Sequence, residues 1–185
     1  MDSQQLMIVA IVVVVALAAA AWFYVQQQRR FRLRERFGPE YERAVDEVGP
    51  KRADAVLEER QRRVAKLEIK RLTAAQADSF AAEWRRVQAR FVDDPNGAVE
   101  AADRLVGQVM AARGYPLEDF DQRAADLSVD HPRVVQNYRS ARGIAERRAR
   151  GEASTEDLRQ ATVHYRELFQ DLLEVSDTPT RRRAS

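Results

Sequence analysis

The chain contains no cysteine, only two histidines, His131 and His164, and only three lysines, Lys51, Lys66 and Lys70, among 185 residues. Without cysteine there are no disulfides, thiolate metal sites or cysteine nucleophiles, although this does not fix the compartment. Any imidazole-based catalytic or metal site has to begin from one of the two histidines. Seven glycines and six prolines leave few turn positions, so long helices are predicted over many short strands and the expected fold class is all-α. Neither sign of charge dominates: 31 basic residues face 29 acidic ones, for a net charge of +2. Such a balance produces no global field of the kind nucleic-acid-binding proteins use, and no nucleic-acid partner is expected.

One long hydrophobic run stands against this background of absences. Residues 6–25 read LMIVAIVVVVALAAAAWFYV without a charged side chain. At 1.5 Å per residue this helix matches a hydrocarbon core of about 30 Å. Trp22 and Tyr24 close the run, where amphipathic rings favour the headgroup level. A buried core helix would keep a polar face, and this run has none. The small residues from Ala16 to Ala21 also suit a cleaved signal peptide. That reading is opposed by an N-terminal flank, MDSQQ, with no Lys or Arg, by the length of the run, and by the basic cluster that follows it. An uncleaved anchor and a bilayer partner are therefore expected.

The basic cluster comprises Arg29, Arg30, Arg32, Arg34 and Arg36 against one acid, Glu35. By the positive-inside rule it places the C-terminal region in the cytoplasm and the N-terminus outside. The same five arginines are candidates for holding anionic lipid headgroups, at about 1 kcal/mol per charge near the surface. The remaining chain is read as a basic juxtamembrane and charged helical segment (26–72), a helical bundle (73–175) and a disordered polar tail (176–185), after a short flank (1–5). Whether 39–72 packs on the bundle or forms a stalk is open.

Gly38-Pro39 and Gly49-Pro50 each end one helix and permit another. Ala53, Val56, Leu57, Val64 and Leu67 form a thin apolar stripe between them and the bundle. Thr73 with Gln76 reads as a capping box, and Phe80, Trp84, Val87 and Phe91 make the inner face of the helix behind it. Asp94-Pro95 ends that helix, and the next places Val99, Ala102, Leu105, Val106, Val109 and Met110 on one side before stopping at Gly114, with Pro116 beyond. Leu117, Phe120, Ala124 and Leu127 suggest a shorter helix, and Asp130 reads as the N-cap of the next, with Val134, Tyr138, Ala141 and Ala145 inside. Ser154 or Thr155 caps the last helix, whose stripe is Leu158, Ala161, Tyr165, Leu168, Phe169, Leu172 and Leu173. Trp84, Phe91, Val106, Tyr138, Tyr165 and Phe169 are expected in the core.

Chemistry-bearing motifs are scarce. A di-iron bundle needs Glu-x-x-His, but Ser128 and Ala161 stand three residues before the histidines. There is no HExxH, Walker phosphate loop, GxGxxG or GxSxG, and no cofactor is expected. His131 is read as part of a helix start and His164 as a boundary residue beside Glu167. The groups Arg85, Arg86, Arg90 and Arg147, Arg148, Arg150 lie among acids such as Glu83 and Glu146, which weakens them as phosphate sites. The terminal RRRAS resembles a basophilic kinase substrate but is read as solvated tail.

The stretches LRERFGPEYERAV, AEWRRVQARFVDDP, ADRLV, ARGYP, DLSVDHPRVVQNYR and GEASTEDLRQATVHYRELF resemble an uncharacterised bacterial family of small membrane-anchored helical proteins, labelled hypothetical or secreted. The resemblance runs from about Leu33 to Leu173 and implies a bacterial origin, with no reaction, ligand or site residue to carry over. Between the secreted label and an anchor, the flanking charges decide for the anchor because they act on insertion directly. The leading functional expectation is a membrane-tethered helical protein-interaction module without catalytic activity. The alternatives are an enzyme or metal-binding bundle centred on His131 or His164, and an anionic-lipid-binding protein using the juxtamembrane arginines.

Overall fold

The structure, a computed structural model, describes residues 3–173, with side chains from residue 11 onward, and the described residues form eight α-helices and no strand. The fold is all-α, as the scarcity of turn residues predicts. The 176–185 tail and its RRRAS motif lie outside the described residues. The chain divides into two compact units after Glu58. The division falls within the segment 26–72.

The first unit holds α1 (Ser3–Phe37), α2 (Pro39–Val48) and the opening turns of α3 (Pro50–Val64). From Ile11 to Val25 the large apolar side chains of α1 are 50% to 66% exposed. This helix is long and apolar enough to cross a membrane, and its most apolar stretch is not buried against the rest of the chain. Further along, the same helix changes character: Leu33 and Phe37, four residues apart, are buried. Gly38, at φ 50°, then turns the chain, and Pro39 opens α2, whose Tyr41 and Ala44 are buried three residues apart. Gly49, at φ 81°, makes the second turn into α3, where Ala53 and Leu57 are buried. Both breaks coincide with Gly-Pro pairs because glycine accepts positive φ and proline suits a first helical position.

The second unit is a bundle built from the end of α3, α4 (Ala74–Arg90), α5 (Pro95–Arg113), α6 (Phe120–Asp130), α7 (Val135–Ala149) and α8 (Thr155–Leu173). α5 and α7 pack against α8, and α4 against α5. The capping box at the start of α4 is present: Gln76 N donates to Thr73 Oγ1 at 3.2 Å and Thr73 N to Gln76 Oε1 at 3.0 Å. α5 begins with Asp94 accepting from Gly97 N at 2.8 Å and ends at Gly114 in the left-handed region. α8 is capped by Ser154, whose hydroxyl accepts from Asp157 N at 3.1 Å. Each cap satisfies backbone donors that a helix end otherwise leaves open.

The core joins Trp84 and Val87 of α4, the full Val99 to Met110 stripe of α5, Ala124 and Leu127 of α6, Tyr138 and Ala141 of α7, and the α8 stripe from Leu158 to Leu172. Trp84 stacks on Phe169 with ring centroids 4.8 Å apart and planes 20° from parallel. Phe80, Phe91, Val134 and Ala145 are partly buried against this core, as is Leu67, which lies beyond the end of α3.

Two boundaries differ from expectation. Leu117 is outside α6 and 56% exposed, because Asp119 caps that helix by accepting from Gln122 N at 3.0 Å. Asp130 ends α6 and does not cap the next helix; its carboxylate accepts from the Tyr115 hydroxyl at 3.0 Å instead. α7 starts later, with Val134 at its N-cap and no side-chain cap. Val135 and Ile144 belong to its buried face as well.

Candidate functional site

The juxtamembrane arginines lie on the part of α1 that follows the apolar run, and most are engaged with partners within the first unit. Arg29 Nη2 is 3.0 Å from Glu58 Oε1, and Arg30 Nε is 3.1 Å from Asp54 Oδ2. Arg34 Nη2 is 3.3 Å from Glu42 Oε1, with its guanidinium carbon 5.2 Å from the centre of the Tyr41 ring. Arg32 donates to Gln28 Oε1 at 3.1 Å. Asp54 also accepts from the Tyr41 hydroxyl at 3.0 Å. Burial, and then this bond to a carboxylate, raises the Tyr41 pKa.

The sequence shows the arginines but gives no sign that Asp54 and Glu58, more than twenty residues away, would meet them. Their i,i+4 spacing on α3 puts both on one helical side, and that pattern is the only available signal. From residue 26 to 58 the chain carries eight basic and seven acidic residues, so the arginine cluster is largely neutralised once folded. The exposed pairs contribute little individually, about 0 to 1 kcal/mol each.

Beside these pairs, between α1 and the first turns of α3, runs a groove of about 610 Å³ with Trp22 and Phe23 at one end and Lys51 on its α3 wall. Its size falls within the range of roughly 300–1,000 Å³ typical of ligand sites. The Lys51 side chain is exposed and has no ion pair or hydrogen bond among the described residues.

In the bundle, His131 follows α6 and donates its backbone N–H to Leu127 O at 2.7 Å. Its Nδ1 bonds Asp171, and its Nε2 lies 3.3 Å from Arg113 Nη1. Arginine can only donate, so Nε2 is the acceptor and Nδ1 carries the proton. The same Arg113 nitrogen donates to Leu172 O at 3.1 Å, tying up a carbonyl at the end of α8. Both ring nitrogens are thus committed to structural bonds between α5, α6 and α8. Tyr115, buried beside this cluster, has its pKa raised by desolvation and by Asp130.

His164 is partly buried on α8. Glu167, three residues on, bonds Asn137. No group of three or more His, Cys, Asp or Glu positioned to hold a metal occurs among the described residues.

A second groove between α5 and α7 carries Glu100, Asp103, Arg142 and Arg148, but its volume is about 170 Å³, too small for an ordinary metabolite. Its charges are bonded internally: Arg148 Nη1 to Glu100 Oε1 at 2.7 Å, Arg142 Nε to Glu146 at 3.0 Å, and the Tyr165 hydroxyl to Asp103 at 3.0 Å. Of the other arginines weighed as phosphate contacts, Arg85 and Arg86 are exposed, and Arg90, Arg147 and Arg150 pair with Asp94, Asp157 and Glu152.

These pairs set an acid limit on the bundle. The backbone N–H of Gly97 and then Arg90 lower the Asp94 pKa; Arg148 lowers that of Glu100; the Ser154 hydroxyl and backbone lower that of Asp157. Glu156 is pulled down to about 2 by its bonds to Arg159 and Gln160. A carboxyl whose folded pKa lies below its unfolded one contributes stability above the unfolded value and loses it as pH falls through the folded one. The urea midpoint is therefore expected to hold between pH 7 and 5 and to fall from about pH 4.5 towards 2. A midpoint that rises on acidification over that window contradicts this assignment.

Comparison with known proteins finds no matching family model, no matching curated protein and no matching solved structure.

Proposed function

We propose that the protein is a bilayer-anchored helical module that binds another protein at the inner face of a bacterial plasma membrane, without catalytic activity of its own. The observation that carries this reading is the continuity of α1, a single helix from Ser3 to Phe37 whose large apolar side chains from Ile11 to Val25 are exposed and which contributes buried Leu33 and Phe37 to a folded unit. An anchor built into the fold in this way holds the rest of its own unit at a set distance from the bilayer, where a swinging linker would not. Tethering raises the local concentration of a binding surface at the membrane, which favours partners confined to the same place.

The orientation rests on the flanking charges: five arginines follow the apolar run and MDSQQ precedes it. The positive-inside rule counts Lys and Arg during insertion, with little contribution from acids, so the later pairing of Arg29 and Arg30 with carboxylates does not weaken it. The bacterial setting is supported by the sequence resemblance alone. His131 has both ring nitrogens in structural bonds and His164 is partly buried on α8, so neither gives an enzymatic reading particular support.

The test is site-specific photo-crosslinking in intact membranes from Val92 and Leu117, exposed large apolar side chains of the bundle at 82% and 56%. A reproducible cross-linked protein from either position is expected. Failure to recover any from both, with the full chain present and membrane-bound, counts against a protein-binding role.

A further inference from the structure

The groove between α1 and α3 combines three properties. Its α1 wall starts from Trp22 and Phe23, the last turn of the apolar run, and continues through Gln26 and Gln27 to Arg29 and Arg30. Its α3 wall presents Lys51, Asp54 and Glu58. If α1 spans the bilayer as proposed above, on which this inference rests, Trp22 and Phe23 sit at the headgroup level. The polar part of the groove then lies directly outside them, at the depth of the lipid phosphates.

The charges in the groove are not equivalent. Arg29 and Arg30 are held by Glu58 and Asp54 at 3.0 and 3.1 Å, which leaves Lys51 as the uncompensated cation of the groove. Three cations and two carboxylates leave one positive charge in excess, the complement of a single phosphodiester. A zwitterionic headgroup would add an ammonium group to carboxylates that are already engaged.

We propose that this groove binds the headgroup of an anionic phospholipid such as phosphatidylglycerol, with the phosphodiester on Lys51 and the glyceryl hydroxyls between Gln26 and Gln27. The occupant is a bilayer lipid and not free phosphate, because the aromatic end of the groove matches the glycerol-ester region and inorganic phosphate has nothing to place there. Recognition falls to Lys51, the one member that sequence reasoning left outside the basic cluster. Arg29 and Arg30 line the groove as members of ion pairs with Glu58 and Asp54 of α3.

The experiment uses the full chain, purified in detergent and exchanged into mixed micelles containing equal phosphatidylglycerol and phosphatidylcholine, with retained lipid counted by native mass spectrometry. The native protein is expected to retain phosphatidylglycerol preferentially. Lys51→Gln should lower that retention about fivefold, the size of one charge near a membrane surface. Lys51→Arg should keep it, and Lys70→Gln, outside the groove, should leave it unchanged. Millimolar inorganic phosphate should not displace the lipid.

Equal retention of the two lipids, an unchanged Lys51→Gln, or displacement by phosphate overturns the groove assignment. Alkaline carbonate extraction of native membranes separates this from a failure of the anchor. Full-length protein that stays in the membrane but shows no preference sinks the groove alone. Release of full-length protein into the supernatant sinks the spanning helix and the groove with it.

Discussion

Trp84→Ala is expected to destabilise the bundle by about 3 to 5 kcal/mol, as for other large aromatic side chains removed from a packed core. Trp84 is only 6% exposed, and its indole stacks on Phe169, itself 2% exposed, across the α4 and α8 faces. Truncation removes the transfer free energy of the ring and leaves a void against Phe169 that neighbouring helices can close only in part. Phe169→Ala should cost a comparable amount. The double variant should lose less than the sum of the two, because the contact between the rings, worth about 0.5 to 1.5 kcal/mol beyond burial, is lost only once. Urea unfolding of the full chain, followed by far-ultraviolet circular dichroism, reads these values. A loss below about 1 kcal/mol for Trp84→Ala would mean that α4 presents a different face to the core.

The second large effect comes from the smallest residue. Gly114 sits at φ +96° at the end of α5, where its own N–H and that of Tyr115 bond back to the carbonyls of Ala111 and Met110. A Cβ at this position would be 2.4 Å from the backbone oxygen of Glu68. The strand of chain that holds that oxygen is itself fixed, since Lys70 N donates to Arg113 O at 2.8 Å. Gly114→Ala therefore meets two costs: about 1 to 2 kcal/mol for an L-residue in the left-handed region, and about 1 to 3 kcal/mol for forcing packed backbone apart. A loss of about 3 kcal/mol is expected. Gly143→Ala provides the control, because Gly143 lies inside α7 with nothing within 4 Å of the added methyl. It should raise stability by up to about 1 kcal/mol through helix propensity. Similar effects of the two substitutions would contradict the assigned turn.

Much of the fold was legible because it depends on local chemistry. The Thr73–Gln76 box, the break at Asp94-Pro95 and the Gly114 stop each act within a few residues and are found where the sequence places them, and of Ser154 and Thr155 it is Ser154 that caps α8. The α5 and α8 stripes are also found as read, since a 3.6-residue period specifies one buried face wherever that face lands. Asp130 was misread for the complementary reason. Its spacing before Pro132 suits an N-cap, but its partner is the hydroxyl of Tyr115, fifteen residues earlier, which no local pattern announces. Leu117 fits a helical period and yet lies outside α6, because the cap at Asp119 begins the helix after it.

The candidate site follows the same rule. The arginines after the apolar run stand out in the sequence by density alone, whereas their pairing with Asp54 and Glu58, and the isolation of Lys51, arise only when α3 is brought back beside α1. A charge that looks available in a linear reading can be neutralised in three dimensions. An inconspicuous lysine can be the one left free.

The central claim is that α1 spans the bilayer with the bundle in the cytoplasm, and reporter fusions after Ser185 test it most directly. One reporter should be active only in the cytoplasm and the other only outside, each fused to the full chain and checked by size for an uncut product. Five arginines after the apolar run and none before it should give activity from the cytoplasmic reporter alone. Changing Arg29, Arg30, Arg32 and Arg34 to glutamine while adding lysines near Ser3 should weaken or invert that pattern. Activity of the external reporter on the uncut native chain, or a shortened mature protein, would contradict the account.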